Sequence, residues 1–295
     1  MTAPPRLRVG VIGTGRAGSV IGAALHRAGH SVVAVSAVSD LSRLRAQALL
    51  PSAAIVDISE VVAAVDLVLV AVPDDALAGL LTGLAAAGVV KPGQFWVHLS
   101  GRHGIGILEP VVRRGALPLA IHPVMSFTGT SIDLARLEGC PFGVTAPGEL
   151  RSAAEALVIE MGGEPVWVPE ESRALYHAAL AYSSNYLITL VAQGCELLED
   201  AGIEHPQRVL TGLLAASLDN ALRLGDQALT GPVARGDAAT VAAHLQVLAA
   251  RSATAVDSYR AMARVTADRA VAAGLLSPPL AEALLDVLAT EEGAR

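Results

Sequence analysis

Two apolar, strand-like runs of this chain end in side chains that can orient an oxygen or move a proton. One closes as His98-Leu99-Ser100-Gly101 and the next as Ile121-His122-Pro123-Val124-Met125. A hydroxyl at Ser100 and an imidazole at His122 on neighbouring strand ends could bracket a carbon–oxygen bond. The imidazole suits proton relay because its ordinary pKa lies near neutrality, and Ser100 would orient the same oxygen. The blander alternative gives His122 only a loop hydrogen bond. His98, inside its apolar run, reads as a core histidine with satisfied nitrogens.

A second group lies on the stretch Tyr176-His177-Ala178-Ala179-Leu180-Ala181-Tyr182-Ser183-Ser184-Asn185-Tyr186. Seven residues are about two helical turns, so His177 and Ser184 share a face, with Asn185 beside them. The helix is otherwise apolar and reads as buried. Its polar groups then need partners, either substrate and cofactor or other helices. Further on, Leu229-Thr230-Gly231-Pro232-Val233-Ala234-Arg235-Gly236-Asp237 reads as a loop opening a helix, with Asp237 as its N-cap and Thr240 and His244 one and two turns on. Arg235 is either a two-pronged partner for a substrate carboxylate or a solvated arginine.

The elements that position these groups begin with Arg8-Val9-Gly10-Val11-Ile12-Gly13-Thr14-Gly15-Arg16-Ala17-Gly18. An apolar strand, glycines in G-x-G-x-x-G spacing and an immediate helical pattern form the dinucleotide-binding fingerprint in its required order. Gly13 permits the turn, Gly15 admits a pyrophosphate, and Gly18 packs the helix on the strand. Thr14, Arg16 and Ala17 complete the cofactor-binding segment. The second strand ends Val35-Ser36-Ala37-Val38-Ser39, without the acid that would bind a ribose 2′-OH. Ser36 and Ser39 could donate to a 2′-phosphate and Arg43 neutralise it, which favours NADP over NAD. Asp40 is expected to cap the next helix. Val72-Pro73 marks the carboxyl edge of another strand, a further cofactor contact, and Asp74 and Asp75 are expected to cap the helix that follows.

Eight strand-like runs are expected, at Leu7–Ile12, Ser31–Ser36, Ala53–Val56, Leu67–Val72, Gln94–Leu99, Leu117–Ile121, Pro141–Thr145 and Pro165–Val168, with helical patterns between most of them. The alternation implies an α/β fold with a doubly wound, mostly parallel Rossmann sheet. From Glu170 the chain reads as Ala/Leu-rich helices only. The expected domains are residues 1–168, dinucleotide-binding, and 169–295, an all-helical substrate and dimerisation domain. So many small residues on several helix faces point to a homodimer.

Hydrophobic residues make up 53% of the 295, aromatic ones only 3%, and the net charge is −7. With no basic stripe, nucleic acid and anionic membrane are excluded as expected partners. Lys91 is the only lysine, which argues against lysine-dependent chemistry. Cys140 and Cys195 have neither metal-ligand nor redox spacing and are expected as buried thiols, so no metal is expected. The apolar stretch from Ala178 to Cys195 carries Ser183, Ser184, Asn185 and Gln193, which argues against a membrane span. With no signal pattern at the N-terminus, the expected location is the cytoplasm.

Gly13–Gly18, His98–Gly101, His122-Pro123 through Phe127, Tyr176 through Asn185, and Thr230–Asp237 with His244 together resemble a two-domain family. Its members join an N-terminal Rossmann-like domain to a helical C-terminal domain of unknown function. The resemblance implies an NADP-dependent oxidoreductase and leaves the substrate open. The architecture is also similar to the group of pyrroline-5-carboxylate reductase, ketopantoate reductase and 6-phosphogluconate dehydrogenase. The last two use a helix lysine before an asparagine; here Asn185 is present and the lysine is absent. Prephenate dehydrogenase resembles the chain locally, through Ser100, the His122-Pro123 motif, His177 and Ser184, but Asn185 stands where that family has a histidine. These likenesses imply hydride transfer to or from a small, carboxylate-bearing carbonyl, hydroxy or imine compound. A non-catalytic NADP-binding sensor or partner-binding subunit is the alternative.

Overall fold

The computed structural model describes residues 6–63 and 65–289. The chain divides into two compact units, Met1–Ser184 and Asn185–Arg295. The first alternates β1 (Arg8–Ile12), α1 (Arg16–Arg27), β2 (Ser31–Ser36), α2 (Asp40–Leu49), β3 (Ala54–Ile55), α3 (Ile58–Ala63), β4 (Leu67–Val70), α4 (Asp74–Ala86) and β5 (Phe95–His98). It continues with α5 (Glu109–Val112), β6 (Leu117–Pro123), α6 (Ile132–Arg136), β7 (Pro141–Thr145), α7 (Arg151–Glu160) and β8 (Glu164–Trp167). All eight expected strands are present. The short α5 and α6 were not foreseen, being too brief to show a helical period.

The strands form one sheet in the order β3-β2-β1-β4-β5-β6-β7-β8. Pairing is parallel except between β6 and β7, where His122 lies opposite Gly143. Side chains alternate across the sheet, as a two-residue period requires. Val9, Val11, Leu67, Leu69, Val97 and Ile121 face a layer with Val20, Ile21 and Leu25 of α1 and Leu157 and Val158 of α7. Ile12, Val68, Val70 and Trp96 face Val61 of α3 and Leu77 and Leu81 of α4. Both faces are therefore buried, and the central strands are mostly apolar, β4 being a continuous Leu-Val-Leu-Val run. The order reverses between β1 and β4, and this switch point opens a crevice at the carboxyl edge where ligands bind in such sheets.

From Arg173 the chain is helical: α8 (Arg173–Asp200), α9 (Pro206–Leu224), α10 (Gly231–Arg235), α11 (Ala238–Ala249), α12 (Ala253–Ala272) and α13 (Pro278–Ala289). In the second unit Ala263, Ala267 and Ala270 form a small-residue stripe on α12, packed with Val241 and Leu245 of α11 and Leu284 and Leu288 of α13. Among the described residues no helix is long and apolar enough to cross a membrane.

Four expectations are corrected. Ser39, not Asp40, caps α2, its Oγ accepting the Ser42 N–H at 3.2 Å. Asp74 and Asp75 are first-turn residues of α4, whose N-cap is Pro73; they favour the helix dipole without capping it. The Leu229–Asp237 segment is not all loop, because Pro232 at the start of a helical turn permits α10 before Gly236 ends it in a left-handed conformation. The long helix α8 is not buried within the chain: Arg173 is its one buried residue, and Leu175 and Ile188 are exposed. A further correction concerns the two free cysteines, both expected to be buried: Cys140 is, but Cys195, on the uncovered helix α8, is only partly so.

Candidate active site

The glycine turn divides its labour as its spacing suggests. Gly13 has φ +93°, and a Cβ there would sit 2.6 Å from the Ala71 carbonyl oxygen. A Cβ on Gly18 would come within 2.0 Å of the Gly13 oxygen and 2.7 Å of the Ala71 Cβ. Gly15 has nothing within 4 Å. The outer glycines thus set the turn and the packing of α1, while the middle one faces open space. Gly15 is also the N-cap of α1, with no side-chain cap bond and no acid in the first turn. The free N–H groups and positive dipole end of a twelve-residue helix are left for an anion.

Beside it, Thr14 is fully buried, and its hydroxyl donates to the Ser42 carbonyl at 3.0 Å, fixing the turn to α2. Ser36 Oγ accepts the Gly13 N–H at 3.1 Å. Ser36 and Ser39 each accept a backbone N–H and donate to nothing among the described residues, so both hydroxyl protons stay free to meet an acceptor. Arg16 and Arg43 are exposed, Ala17 is half-buried, and Val72 and Pro73 follow β4 at the same edge.

At the end of β5, His98 is fully buried. Its Nδ1 accepts the Ser100 N–H at 3.2 Å, so Nε2 carries the proton and donates to the Gly104 carbonyl at 2.8 Å. Burial pushes its pKa down to about 4. The core-histidine reading holds, and this histidine shapes the loop that carries Ser100. Ser100 Oγ accepts the His103 N–H at 3.1 Å. From outside, the Glu170 carboxylate accepts the Ile105 and Gly106 N–H groups at 2.7 and 2.9 Å. The loop is held from both sides.

His122, near the end of β6, and Tyr176 share a 2.9 Å hydrogen bond between Nδ1 and the hydroxyl, with the rings perpendicular. The His177 ring stands edge-on to it at 6.3 Å. Two glycines make this cluster possible. A Cβ on Gly101 would lie 2.9 Å from both His122 Nε2 and His177 Cδ2, and one on Gly143 would lie 2.3 Å from the Tyr176 hydroxyl. Beneath the cluster Arg173, 1% exposed, donates from Nε to Thr145 Oγ1 at 2.7 Å and from Nη2 to the Ala120 and Gly143 carbonyls. Its Nη1 is buried without a partner among the described residues. Burial, then the charges of Arg173 and His177, lowers the His122 pKa to about 4, against a smaller opposing pull from Asp74. Burial raises that of Tyr176. Near neutrality the pair is therefore imidazole and phenol, both uncharged. With the phenol donating to Nδ1, the imidazole proton sits on Nε2, next to Gly101.

A pH dependence of stability follows. His98 and His122 bind a proton near pH 6.5 when unfolded and only near 4 when folded. The unfolded chain binds more protons in that window, so the stability they confer is complete above about 6.5 and lost as pH falls through 4. Urea unfolding between pH 7 and 4 should show a fall of several kcal/mol. His98→Asn and His122→Asn together should flatten it, and an unchanged slope would refute this account.

Ser184 and Asn185 are exposed on α8. In the second unit Arg235 is exposed at the end of α10. Asp237 caps α11, accepting from Thr240 N and Oγ1 at 3.0 and 2.6 Å. Tyr176, Arg173, Gly101 and Gly143 were not singled out from the sequence. Arg173 carried a signal, as the only Lys or Arg between Arg151 and Arg208. The role of Gly143 emerges only from the pairing of β6 with β7, and that of Gly101 only from the approach of the loop after β5 to His122 and His177. Among the described residues no group of three or more His, Cys, Asp or Glu could hold a metal ion.

Residues 1–123 match a Rossmann-like domain and residues 140–266 match a domain of unknown function, DUF2520. No curated protein matches the chain. Among solved structures, a candidate NADP oxidoreductase of Bacteroides fragilis is 23% identical, with TM-score 0.74 over 89% of this chain and 98% of that one. An imine reductase from Pseudomonas sp. is 19% identical, with TM-score 0.65 over 96% and 100%. A reductive aminase from Aspergillus terreus, in complex with NADPH and ethyl levulinate, is 16% identical, with TM-score 0.63 over 96% and 99%. At such identities the likeness speaks for the fold. The two matches, in that order along one chain, give this protein the organisation of a Rossmann-like domain followed by DUF2520.

Proposed function

We propose that the protein is an NADP(H)-dependent oxidoreductase acting on the C=O or C=N carbon of a small molecule, with His122 and Tyr176 handling the proton. The observation that carries this reading is the His122–Tyr176 hydrogen bond at the carboxyl side of the sheet that bears the uncapped glycine turn. β1 and β6 are three strand spacings apart, about 15 Å, a span that suits an extended dinucleotide. The NADP, imine and amine chemistry named for the structural neighbours supports it.

When bound, NADPH supplies the hydride. The Gly13–Gly18 turn and the first turn of α1 hold the pyrophosphate, and Val72-Pro73 borders the same crevice. Ser36, Ser39 and Arg43 meet the 2′-phosphate. Ser100 orients the reacting oxygen or nitrogen, and His122 delivers the proton from Nε2. Tyr176 gives one to Nδ1, leaving a phenolate beside the Arg173 guanidinium that takes a proton back from water before the next turnover. A neutral imidazole can act this way because proton gain at Nδ1 accompanies loss at Nε2. His177 flanks His122. We assign substrate contacts to Ser184 and Asn185, and a carboxylate partner to Arg235, on residue chemistry alone. Leu213 and Leu222 of α9 and Ile188 of α8 are exposed, Leu222 by 79%; we propose that a second copy covers them in a homodimer.

Fluorescence titration should give tighter binding of NADPH than of NADH. Arg43→Ala should weaken NADPH about tenfold, roughly 1.4 kcal/mol, and leave NADH unchanged. Cyclic imines and 2-oxoacids should then be screened for NADPH oxidation. Binding without turnover of any would make the protein a sensor, and no binding of either nucleotide would refute the proposal.

A further inference from the structure

The second unit contains a cleft of about 400 Å³ between α8, α10, α11 and α12. That volume lies in the range of small-molecule sites. None of the residues lining it carries a formal charge. Its wall is mostly apolar, with Leu190, Leu197, Val233, Leu248 and Met262 among the lining residues. Into this surface the structure sets two polar pairs, Gln193–Ser258 and His244–Tyr259; in the second, His244 Nδ1 and the Tyr259 hydroxyl are 2.9 Å apart with perpendicular rings. His244 Nε2 has no hydrogen-bond partner among the described residues. Gln193 also lines the cleft and spends its amide N–H on Ser258 Oγ at 3.3 Å, which leaves its carbonyl as an acceptor.

We infer that this cleft binds an uncharged, mostly apolar small molecule carrying one oxygen or nitrogen function, which the His244–Tyr259 pair recognises. An ionised ligand would lose its hydration here with no countercharge to replace it, at a cost of several kcal/mol. A purely apolar one would leave the imidazole's outer nitrogen without a partner. A ligand with an apolar ring body and a single carbonyl or amine group satisfies both. With the phenol donating to Nδ1, Nε2–H is the donor for a carbonyl; in the other tautomer Nε2 accepts from an amine. The site is complete within the second unit and does not depend on nucleotide binding.

The test uses the full chain and β-tetralone, an uncharged bicyclic ketone, with the carboxylate of the same ring skeleton as comparison. Calorimetry should show saturable binding of the ketone and at least tenfold weaker binding of the carboxylate. Tyr259→Phe, which keeps the ring, and His244→Ala should each weaken the ketone about tenfold. Met262→Trp should abolish binding by filling the cleft. Thermal unfolding midpoints like the parent's show that the variants fold, and Tyr259→Phe is the conservative arm if His244→Ala does not. Ketone affinity unmoved by all three variants, or equal affinity for the carboxylate, would overturn the inference. So would a loss of self-association in Met262→Trp with no ketone binding to the parent, which would identify a second copy of the chain as the occupant.

Discussion

His122→Ala is expected to lower kcat/KM for NADPH-dependent reduction by roughly 10²–10⁴-fold, with the Kd for NADPH unchanged. The imidazole has a phenol hydrogen-bonded to one nitrogen and Gly101, which leaves room for the ring, next to the other. Removing it leaves Tyr176 with no route to the substrate and does not touch the glycine turn. Tyr176→Phe tests the other half of the relay. It keeps the imidazole and its packing on Gly101 but takes away the proton source at Nδ1, so kcat should fall while KM and nucleotide affinity hold. The lost hydrogen bond should cost only about 1 kcal/mol of stability, so a folded, nucleotide-binding, slow enzyme is the expected product. Arg173 makes the signature specific. After burial itself, its charge is the main influence holding the His122 pKa down, so Arg173→Met should raise it and shift the acid limb of the pH–rate profile upward. Full activity in His122→Ala would end the proton-relay reading and leave the nucleotide site standing.

How much of this was legible in the sequence depends on the range of each interaction. The strands were readable because β1, β2 and β4–β7 are largely buried on both faces and therefore spelled as mostly apolar runs, from Leu-Val-Leu-Val in β4 to Ser-Val-Val-Ala-Val-Ser in β2. Gly13 and Gly18 were readable because the positive φ of the one and its oxygen's contact with the other dictate glycine within a single turn. Ser100 and His122 stood out as polar residues at strand ends. The partner of His122 did not: Tyr176 reaches it across fifty-four positions, through a space that exists only because Gly143 lies opposite His122 on an antiparallel neighbour. The capping of α2 was misplaced by one residue, since Ser39 and Asp40 are equally good caps by type and only the extended backbone of Ser39 decides. The burial of α8 was misread for a different reason. Its apolar composition was correctly seen, but sequence cannot say whether the same chain covers an apolar face.

Gly18→Val and Gly15→Ala should both cost at least about a hundredfold in NADPH affinity, roughly 2.7 kcal/mol, and only the first should also destabilise the fold. At Gly18 a Cβ would stand 2.0 Å from the Gly13 oxygen, closer than any non-bonded contact allows. The turn or helix α1 must move, and Val20, Ile21 and Leu25 move with it out of a layer that buries them almost completely. Such overpacking costs several kcal/mol, visible as a lower unfolding midpoint without any nucleotide present. At Gly15 the backbone is extended, with φ −67° and ψ −165°, and a Cβ meets nothing within 4 Å. Alanine therefore leaves the free protein as stable as the parent. What it removes is the close approach of a pyrophosphate to the backbone N–H groups. The contrast separates a tight turn that binds nothing from one shaped around a ligand. In the first case Gly15→Ala is silent in every assay; in the second it is silent in unfolding and severe in binding. Retained NADPH affinity in Gly15→Ala would place the nucleotide elsewhere, because that position's only evident reason to lack a side chain is a partner the chain itself does not supply.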